Sequence, residues 1–244
     1  MCEFKLPLNL HSSWLAGFMA LNFTINTVVF GSVNPEFLDF IRSTLTEFYS
    51  KLGADVYVEV YVYSSKYLKR AVIEELASAY GVSVIGDYVV VHEAWSGLPR
   101  IHVDAESCSS IGERYVRALL VHEAVHALLH GTLLSYLLRM TGDRAGKPAS
   151  LAEVYVASTI VKDMQVHKFL VNSGFVDEVA AYAEYVFKYQ LSDACSSFLE
   201  VLELAKILTP CIYLKSCGII DKLEKCKEPA LRILEKLESI EAEI

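Results

Sequence analysis

The chain has 244 residues, enough for one large domain or two small ones, and 53% of them are hydrophobic. Its formal net charge is -8, and the absence of a basic stripe argues against nucleic acid as a partner. Polar residues interrupt every apolar stretch before it reaches about 18 residues, so we expect no membrane span. Because Glu3 and several polar residues interrupt the first apolar segment, we expect no signal peptide and a cytoplasmic protein.

The first hundred residues alternate between strand and helix patterns. Four segments rich in Val, Ile and Tyr predict strands, over 22–31, 55–63, 82–93 (with a break at Gly86) and 100–103. Asn34-Pro35 and Ser64 or Ser65 carry the start signals of two helices, which we expect to end near Gly53 and Gly81. The pattern predicts a small mixed sheet with two helices packed on it, within residues 1–108.

After Ser109 the pattern becomes helical, so residues 109–244 form the second predicted part. We expect helices over 111–140 (broken at Gly131), 150–173, 176–190, 193–208 and 219–244 (kinked at Pro229), with a loop over 141–148. Pro, Gly and Ser mark no linker between the two parts. The predicted fold class is therefore α+β, with a small N-terminal mixed sheet followed by a mainly helical half in one continuous domain.

Six cysteines occur, and none of them forms a Cys-x-x-Cys pair, which argues against a zinc ribbon or a redox motif. Four of the six crowd into the last fifty residues: Cys195, Cys211, Cys217 and Cys226. Gln165 and Gln190 are the only glutamines, and depletion of labile amides is typical of thermophile proteins, whose interiors tolerate disulfides. The cysteine cluster is therefore predicted to hold either buried thiols or a disulfide between two of its members.

The most informative segment is His122-Glu123-Ala124-Val125-His126, inside an apolar, helix-forming run. Four residues make about one helical turn, so both imidazoles project from the same face and can share one zinc ion. Glu123 points to the edge of that face, where it can take a proton from a zinc-bound water. Two ionisable rings amid Leu, Val and Ala need partners, which favours a zinc hydrolase, most often a peptidase. The alternative is a core helix whose histidines bond to backbone groups or carboxylates.

A catalytic zinc needs three protein ligands and one open position. Asp163 and His167 lie one turn apart on the buried stripe of the next predicted helix, where an unpaired carboxylate would be costly. We predict Asp163 as the third ligand and His167 as a ligand or an orienting group; a hydrogen bond between the two inside a helical core is the alternative. Glu153 is the alternate third ligand, although the helical rise puts it about 15 Å from Asp163. His130 lies about 12 Å from His122 along its helix and is expected beside the site or at the surface.

The order of elements and the motif together resemble the zincin metallopeptidases. In that fold an edge strand near the motif helix holds the substrate in extended form, and the resemblance makes 89–92 or 100–103 this strand. Gluzincins take a glutamate from a downstream helix, and the small repressor-cleaving peptidases of bacterial immunity regions, which residues 121–130 resemble, place one near Glu153. Metallopeptidase-like proteins that accompany von Willebrand A-type domains have an aspartate instead, and residues 162–170 look like the segment that carries it. The resemblance covers about residues 112–175.

These observations predict a zinc-dependent metallopeptidase that acts on a peptide or protein. Zn²⁺ is the expected cofactor, bound by His122, His126 and Asp163 or its neighbour on the same stripe. Glu123 is the predicted general base and then the proton donor to the leaving amine. The alternative is a non-catalytic, zinc-stabilised binding domain, in which His167 is a fourth ligand that leaves no position for water. Three residues are candidates for stabilising the oxyanion: His130, Tyr155 and His167.

Overall fold

Four strands and eight α-helices make up the described part of the chain, which in this computed structural model comprises residues 22–82, 86–136, 150–190, 196–214, 217 and 227–241. In chain order these are β1 (Phe23–Phe30), α1 (Pro35–Leu52), β2 (Val56–Tyr63), α2 (Lys66–Ala79), β3 (Val90–Glu93), β4 (Arg100–Asp104), α3 (Ala105–Ile111), α4 (Glu113–His130), α5 (Leu151–Asn172), α6 (Val176–Tyr189), α7 (Phe198–Tyr213) and α8 (Lys227–Glu241). A short 3₁₀ helix covers Leu133–Tyr136. A small sheet followed by a mainly helical half confirms the predicted α+β class.

The four strands form one mixed sheet in the order β1-β2-β4-β3. β1 and β4 each run parallel to β2, whereas β3 runs antiparallel to β4 and lies at the edge. In this pairing Val90 lies opposite Val103, and His92 lies opposite Ile101. Of the two segments predicted as the substrate-binding edge, only the one that forms β3 occupies an edge, because β4 lies between β2 and β3.

One face of the sheet packs against α1 and α4. The alternating residues Val58, Val60 and Val62 of β2 are fully buried on this face, and full burial of such a side chain contributes about 1.5–3 kcal/mol. The Tyr49 hydroxyl of α1 donates a hydrogen bond of 3.3 Å to the carbonyl oxygen of Ala124 in α4. The motif helix α4 therefore packs against both the sheet and α1.

Helices α5, α7 and α8 form a second hydrophobic core. Ile160 and Met164 of α5 pack there with Leu208 of α7 and Leu234 of α8. The flank of α5 that carries Asp163 instead contacts α4. Among the helices of the described segments, none is long and apolar enough to cross a membrane.

Two predicted elements have different bounds in the structure. The motif helix, predicted over 111–140, is α4; Gly112, with φ of 87°, separates it from α3, which was not predicted. It ends before Gly131, where a Cβ atom would collide with the carbonyl oxygen of Ala127. Of the strand predicted over 82–93 with a break at Gly86, the described residues form a strand only over Val90–Glu93, and residues 83–85 lie outside them. Gly86, at the predicted break, adopts φ of 91°, which strands do not use.

The last helices also differ from their predicted bounds. α7, predicted to end at 208, continues to Tyr213 and includes Pro210, whose carbonyl oxygen accepts a hydrogen bond from the Leu214 N–H. Pro229 lies in the first turn of α8, where a missing N–H interrupts no intrahelical hydrogen bond. The predicted loop over 141–148, and the predicted helical residues 137–140, 193–195, 219–226 and 242–244, lie outside the described residues.

A disulfide joins Cys211, near the end of α7, to Cys217. Of the two alternatives predicted for the C-terminal cysteine cluster, buried thiols or a disulfide, the structure contains the disulfide. Cys195 and Cys226 lie outside the described residues. The bridge closes a short loop, with a sequence separation of 6. From loop-closure entropy we expect it to contribute about 2 kcal/mol to the free energy of unfolding.

Candidate metal centre

Helix α4 places His122 and His126 side by side, as their spacing predicts. Their Nε2 atoms are 3.1 Å apart, and both side chains are buried. Burial lowers the pKa of His126 to about 3, against the opposing effect of the adjacent Asp163 carboxylate. The His126 imidazole is therefore neutral at physiological pH, which is the form that binds a metal ion.

Helix α5 brings Asp163 against this pair. Its Oδ1 atom is 3.1 Å from His126 Nε2 and 3.7 Å from His122 Nε2. Three ligand atoms of a tetrahedral zinc, each about 2.1 Å from the ion, lie about 3.4 Å from one another. The triangle of His122, His126 and Asp163 therefore has the dimensions of a site for one ion. Within the described residues it is the one group of three His, Cys, Asp or Glu side chains that is close enough to hold a metal.

Asp163 keeps its charge although it is buried. Burial raises the pKa of its carboxyl group, but Lys206, with Nζ 4.0 Å from Oδ2, and the two adjacent histidine side chains hold that pKa well below the usual range. One carboxylate oxygen thus faces the imidazoles and the other faces the ammonium group. Lys206 could have been suspected from the sequence alone, because it is a lysine inside the apolar pattern of α7.

Glu123 lies beside the two histidines and lines the same cleft. Its Oε2 atom accepts a hydrogen bond of 2.9 Å from the backbone N–H of His92, in the edge strand β3. Burial raises the pKa of Glu123 to about 7, which His122 opposes and Asp163 reinforces. A carboxyl group with this pKa can both take up and release a proton near neutral pH.

A chain of hydrogen bonds holds the His126 ring in place. Its Nδ1 atom is 3.0 Å from His130 Nδ1, and His130 Nε2 is 2.9 Å from Gln165 Oε1. Because an amide oxygen only accepts, this network assigns the proton of His130 to Nε2 and makes its Nδ1 an acceptor for the His126 Nδ1–H. The Nε2 atom of His126 is then a free lone pair that faces Asp163, which is the tautomer that metal binding requires. His130, predicted beside the site or at the surface, is buried beside His126.

The structure does not bring His167 into the triangle of ligand atoms. Its ring is fully buried, with centroids 4.9 Å from the His122 ring and 5.0 Å from the Tyr182 ring. Neither of its ring nitrogens has a hydrogen-bond partner in the part of the chain that the structure describes. Glu153 does not belong to the triangle of ligand atoms either. Its carboxylate caps the start of α5, where it accepts a hydrogen bond of 2.6 Å from the Ser150 N–H.

A cleft of about 150 Å³ adjoins the ligand triangle. The Tyr182 ring stacks on the His122 ring, with 4.1 Å between centroids and 14° between planes, and so fixes its orientation. Of the three residues predicted as oxyanion stabilisers, only Tyr155 lines the cleft. The lining also includes residues that the sequence did not single out: Tyr88, Tyr136, Lys162, Tyr182 and Lys206. These residues come from separate loop and helix segments, so no local spacing could indicate them.

Comparisons with protein-family models, with curated proteins and with solved structures found no match for this chain. The resemblance to zincins therefore remains a prediction, which rests on the motif residues and on the geometry of the site.

Proposed function

We propose that this protein is a zinc-dependent hydrolase of peptide bonds. The observation that carries the proposal is the triangle of His122 Nε2, His126 Nε2 and Asp163 Oδ1, with edges of 3.1 to 3.7 Å, in a cleft that Glu123 also lines. Three protein ligands leave one position for water, as a catalytic zinc requires. The proposed substrate is a peptide or protein, and the proposed compartment is the cytoplasm.

The residues around the triangle have separate roles in this mechanism. A zinc ion held by His122, His126 and Asp163 would supply Lewis acidity toward a carbonyl oxygen and toward a water molecule. Glu123 takes the proton of the attacking water and delivers it to the leaving amine. The His92 N–H holds Oε2 of Glu123 in place during both transfers. Tyr155, whose hydroxyl stays protonated because burial raises its pKa, is the candidate donor to the oxyanion.

The edge strand β3 gives an extended substrate a backbone to pair with. The Asp104 N–H donates to the Val89 carbonyl oxygen at 3.0 Å, so in this antiparallel pair the backbone groups of Val90 and His92 point away from β4. The bond from the His92 N–H to Glu123 agrees with that direction. The Val90 groups and the His92 carbonyl are then positioned to bind the substrate main chain by strand addition.

The position of His167 bears on the alternative, a non-catalytic zinc-stabilised domain. That domain needs a fourth protein ligand, and His167 lies outside the group of converging ligand atoms. This supports an open coordination position and hence the hydrolase.

Removal and return of the metal tests the proposal directly. We expect a chelator to abolish cleavage of a denatured casein probe, and about one equivalent of Zn²⁺ per chain to restore it, because the described residues offer one triangle of ligands. Peptide products can be followed by mass spectrometry. Cleavage that persists in the chelator, or a zinc-loaded protein that cleaves no peptide bond in the probe, would contradict the proposed function.

The hydrogen-bond chain behind His126 gives a second expected result. Gln165→Leu removes the acceptor for the His130 N–H, so we expect zinc affinity to fall by about 10-fold or more, whereas Gln165→Glu retains an acceptor and should retain the affinity. Zinc affinity can be measured by competition with a chelating dye, with the circular dichroism of the metal-free variants as the control for folding. Equal affinity in the leucine variant and the parent would remove Gln165 from the positioning of His126.

A further inference from the structure

The cleft beside the metal centre contains two lysines as well as two carboxylates. Among the described lining residues these are Lys162 and Lys206, with Glu123 and Asp163. Their formal charges cancel when the histidines are neutral, so a bound divalent ion would leave the lining with the positive charge of that ion. The chain as a whole has a net charge of -8, so this cleft would have the opposite sign to the protein around it. Such a cleft favours an anionic group in the substrate.

The two lysines differ in what they contact. Lys206 Nζ is 4.0 Å from Asp163 Oδ2, and it donates a hydrogen bond of 3.4 Å to the Tyr88 hydroxyl. Lys162 Nζ instead lies over the Tyr136 ring, 4.0 Å from its centroid. No carboxylate in the described segments forms an ion pair with Lys162. Lys206 thus pairs with Asp163, whereas no carboxylate of the described residues pairs with Lys162.

The surroundings of Lys162 hold it at the cleft. The Tyr136 hydroxyl is 3.0 Å from His92 Nδ1, which fixes the ring beneath the ammonium group. Lys162 is partly buried, so its ammonium group is incompletely hydrated. An ammonium group has three N–H donors and no acceptor, and a carboxylate is the complementary partner.

We propose that Lys162 binds a carboxylate of the substrate, close to the bond that is cleaved. This inference rests on the proposed function and names its substrate class: peptides with a carboxylate near the scissile bond. The carboxylate belongs either to the C-terminus of the peptide or to an acidic side chain, since both present the same group to Lys162. The contact between Lys162 and this carboxylate makes the enzyme selective among peptides. The edge strand binds only the backbone of a peptide, so it accepts any sequence.

The test uses zinc-loaded Glu123→Gln protein, in which peptides remain intact, and four peptide probes in a binding titration. One pair is acetyl-Ala-Ala-Ala with a free or an amidated C-terminus; the other is amidated acetyl-Ala-Glu-Ala or acetyl-Ala-Gln-Ala. We expect the charged member of one pair to bind about 10-fold tighter or more than its neutral counterpart. Preference within the first pair identifies the C-terminus as the source of the carboxylate, and preference within the second identifies the side chain.

Variants of two lysines assign the preference to Lys162. Lys162→Met should remove it and Lys162→Arg should keep most of it, because arginine retains the charge. Lys66→Met is the matched control, since Lys66 also lies over a tyrosine ring, 5.2 Å from the Tyr67 centroid, but is exposed on α2. Equal binding within both pairs, or no measurable binding of any probe, would overturn the inference, as would a preference that survives in Lys162→Met. A protein that shows the preference but neither binds zinc nor cleaves peptides would instead refute the proposed function alone.

Discussion

Replacing Glu123 by glutamine is expected to lower the rate of peptide hydrolysis by at least about 100-fold, because general acid–base catalysis contributes about 10²–10⁴-fold. The amide keeps the size of the side chain but cannot take a proton from water. Zinc content should not change, since the triangle of ligand atoms consists of His122, His126 and Asp163. Initial rates on a peptide that the parent cleaves, measured at equal zinc occupancy, check this result.

Glu113→Gln is the matched control for that variant. Glu113 lies in the first turn of the same helix, is exposed, and does not line the cleft, so the substitution should leave the rate unchanged. A Glu123→Gln protein that cleaves at the rate of the parent would exclude Glu123 as the general base.

The second large effect is expected at Asp163. Asp163→Ala removes one of three converging ligand atoms, so zinc affinity should fall by at least about 100-fold, the equivalent of about 3 kcal/mol. Glu153→Ala should leave zinc affinity unchanged and lower the free energy of unfolding by about 1 kcal/mol, because Glu153 belongs to the capping box of α5. Dye competition and thermal unfolding of the metal-free proteins separate the two effects.

Other outcomes of this series would change the ligand set. Loss of zinc in Glu153→Ala, with retention in Asp163→Ala, would indicate a site of the glutamate type. Loss in His167→Ala, with retention in both of the others, would indicate three histidine ligands. Because Asp163→Ala leaves Lys206 without its carboxylate partner, circular dichroism must show that this variant is folded.

The sequence predicted those parts of the site that depend on local geometry. The spacing of His122 and His126 places both rings on one face of any helix, and the structure has their Nε2 atoms 3.1 Å apart. Asp163 was predicted because a buried carboxylate needs a partner, and it meets the two histidines. The same reasoning suggested His167, one turn further along α5, but that ring packs against Tyr182 and does not join the ligand atoms. A shared helical stripe does not tell which of its members faces the neighbouring helix.

The parts that the sequence did not predict depend on tertiary packing. Lys206 and Tyr182 reach the metal centre only because α7 and α6 pack beside α4 and α5. Gln165 contributes to the metal centre through its hydrogen bond with His130. No periodic pattern distinguishes it from other polar residues on α5. Alternating residues predicted strands but not their order, so the edge position of β3 followed only from the structure. The α+β class was predictable, because strand and helix patterns occupy separate parts of the sequence.

Elemental analysis of the untagged protein, purified and dialysed at neutral pH, is the most direct test of the metal centre. The geometry predicts about one zinc per chain in the parent and almost none in a His122→Ala, His126→Ala double variant, which keeps only one ligand of the triangle. A folded parent protein that is free of zinc, and that cannot be loaded with zinc at neutral pH, would contradict the proposal that this protein is a zinc-dependent enzyme.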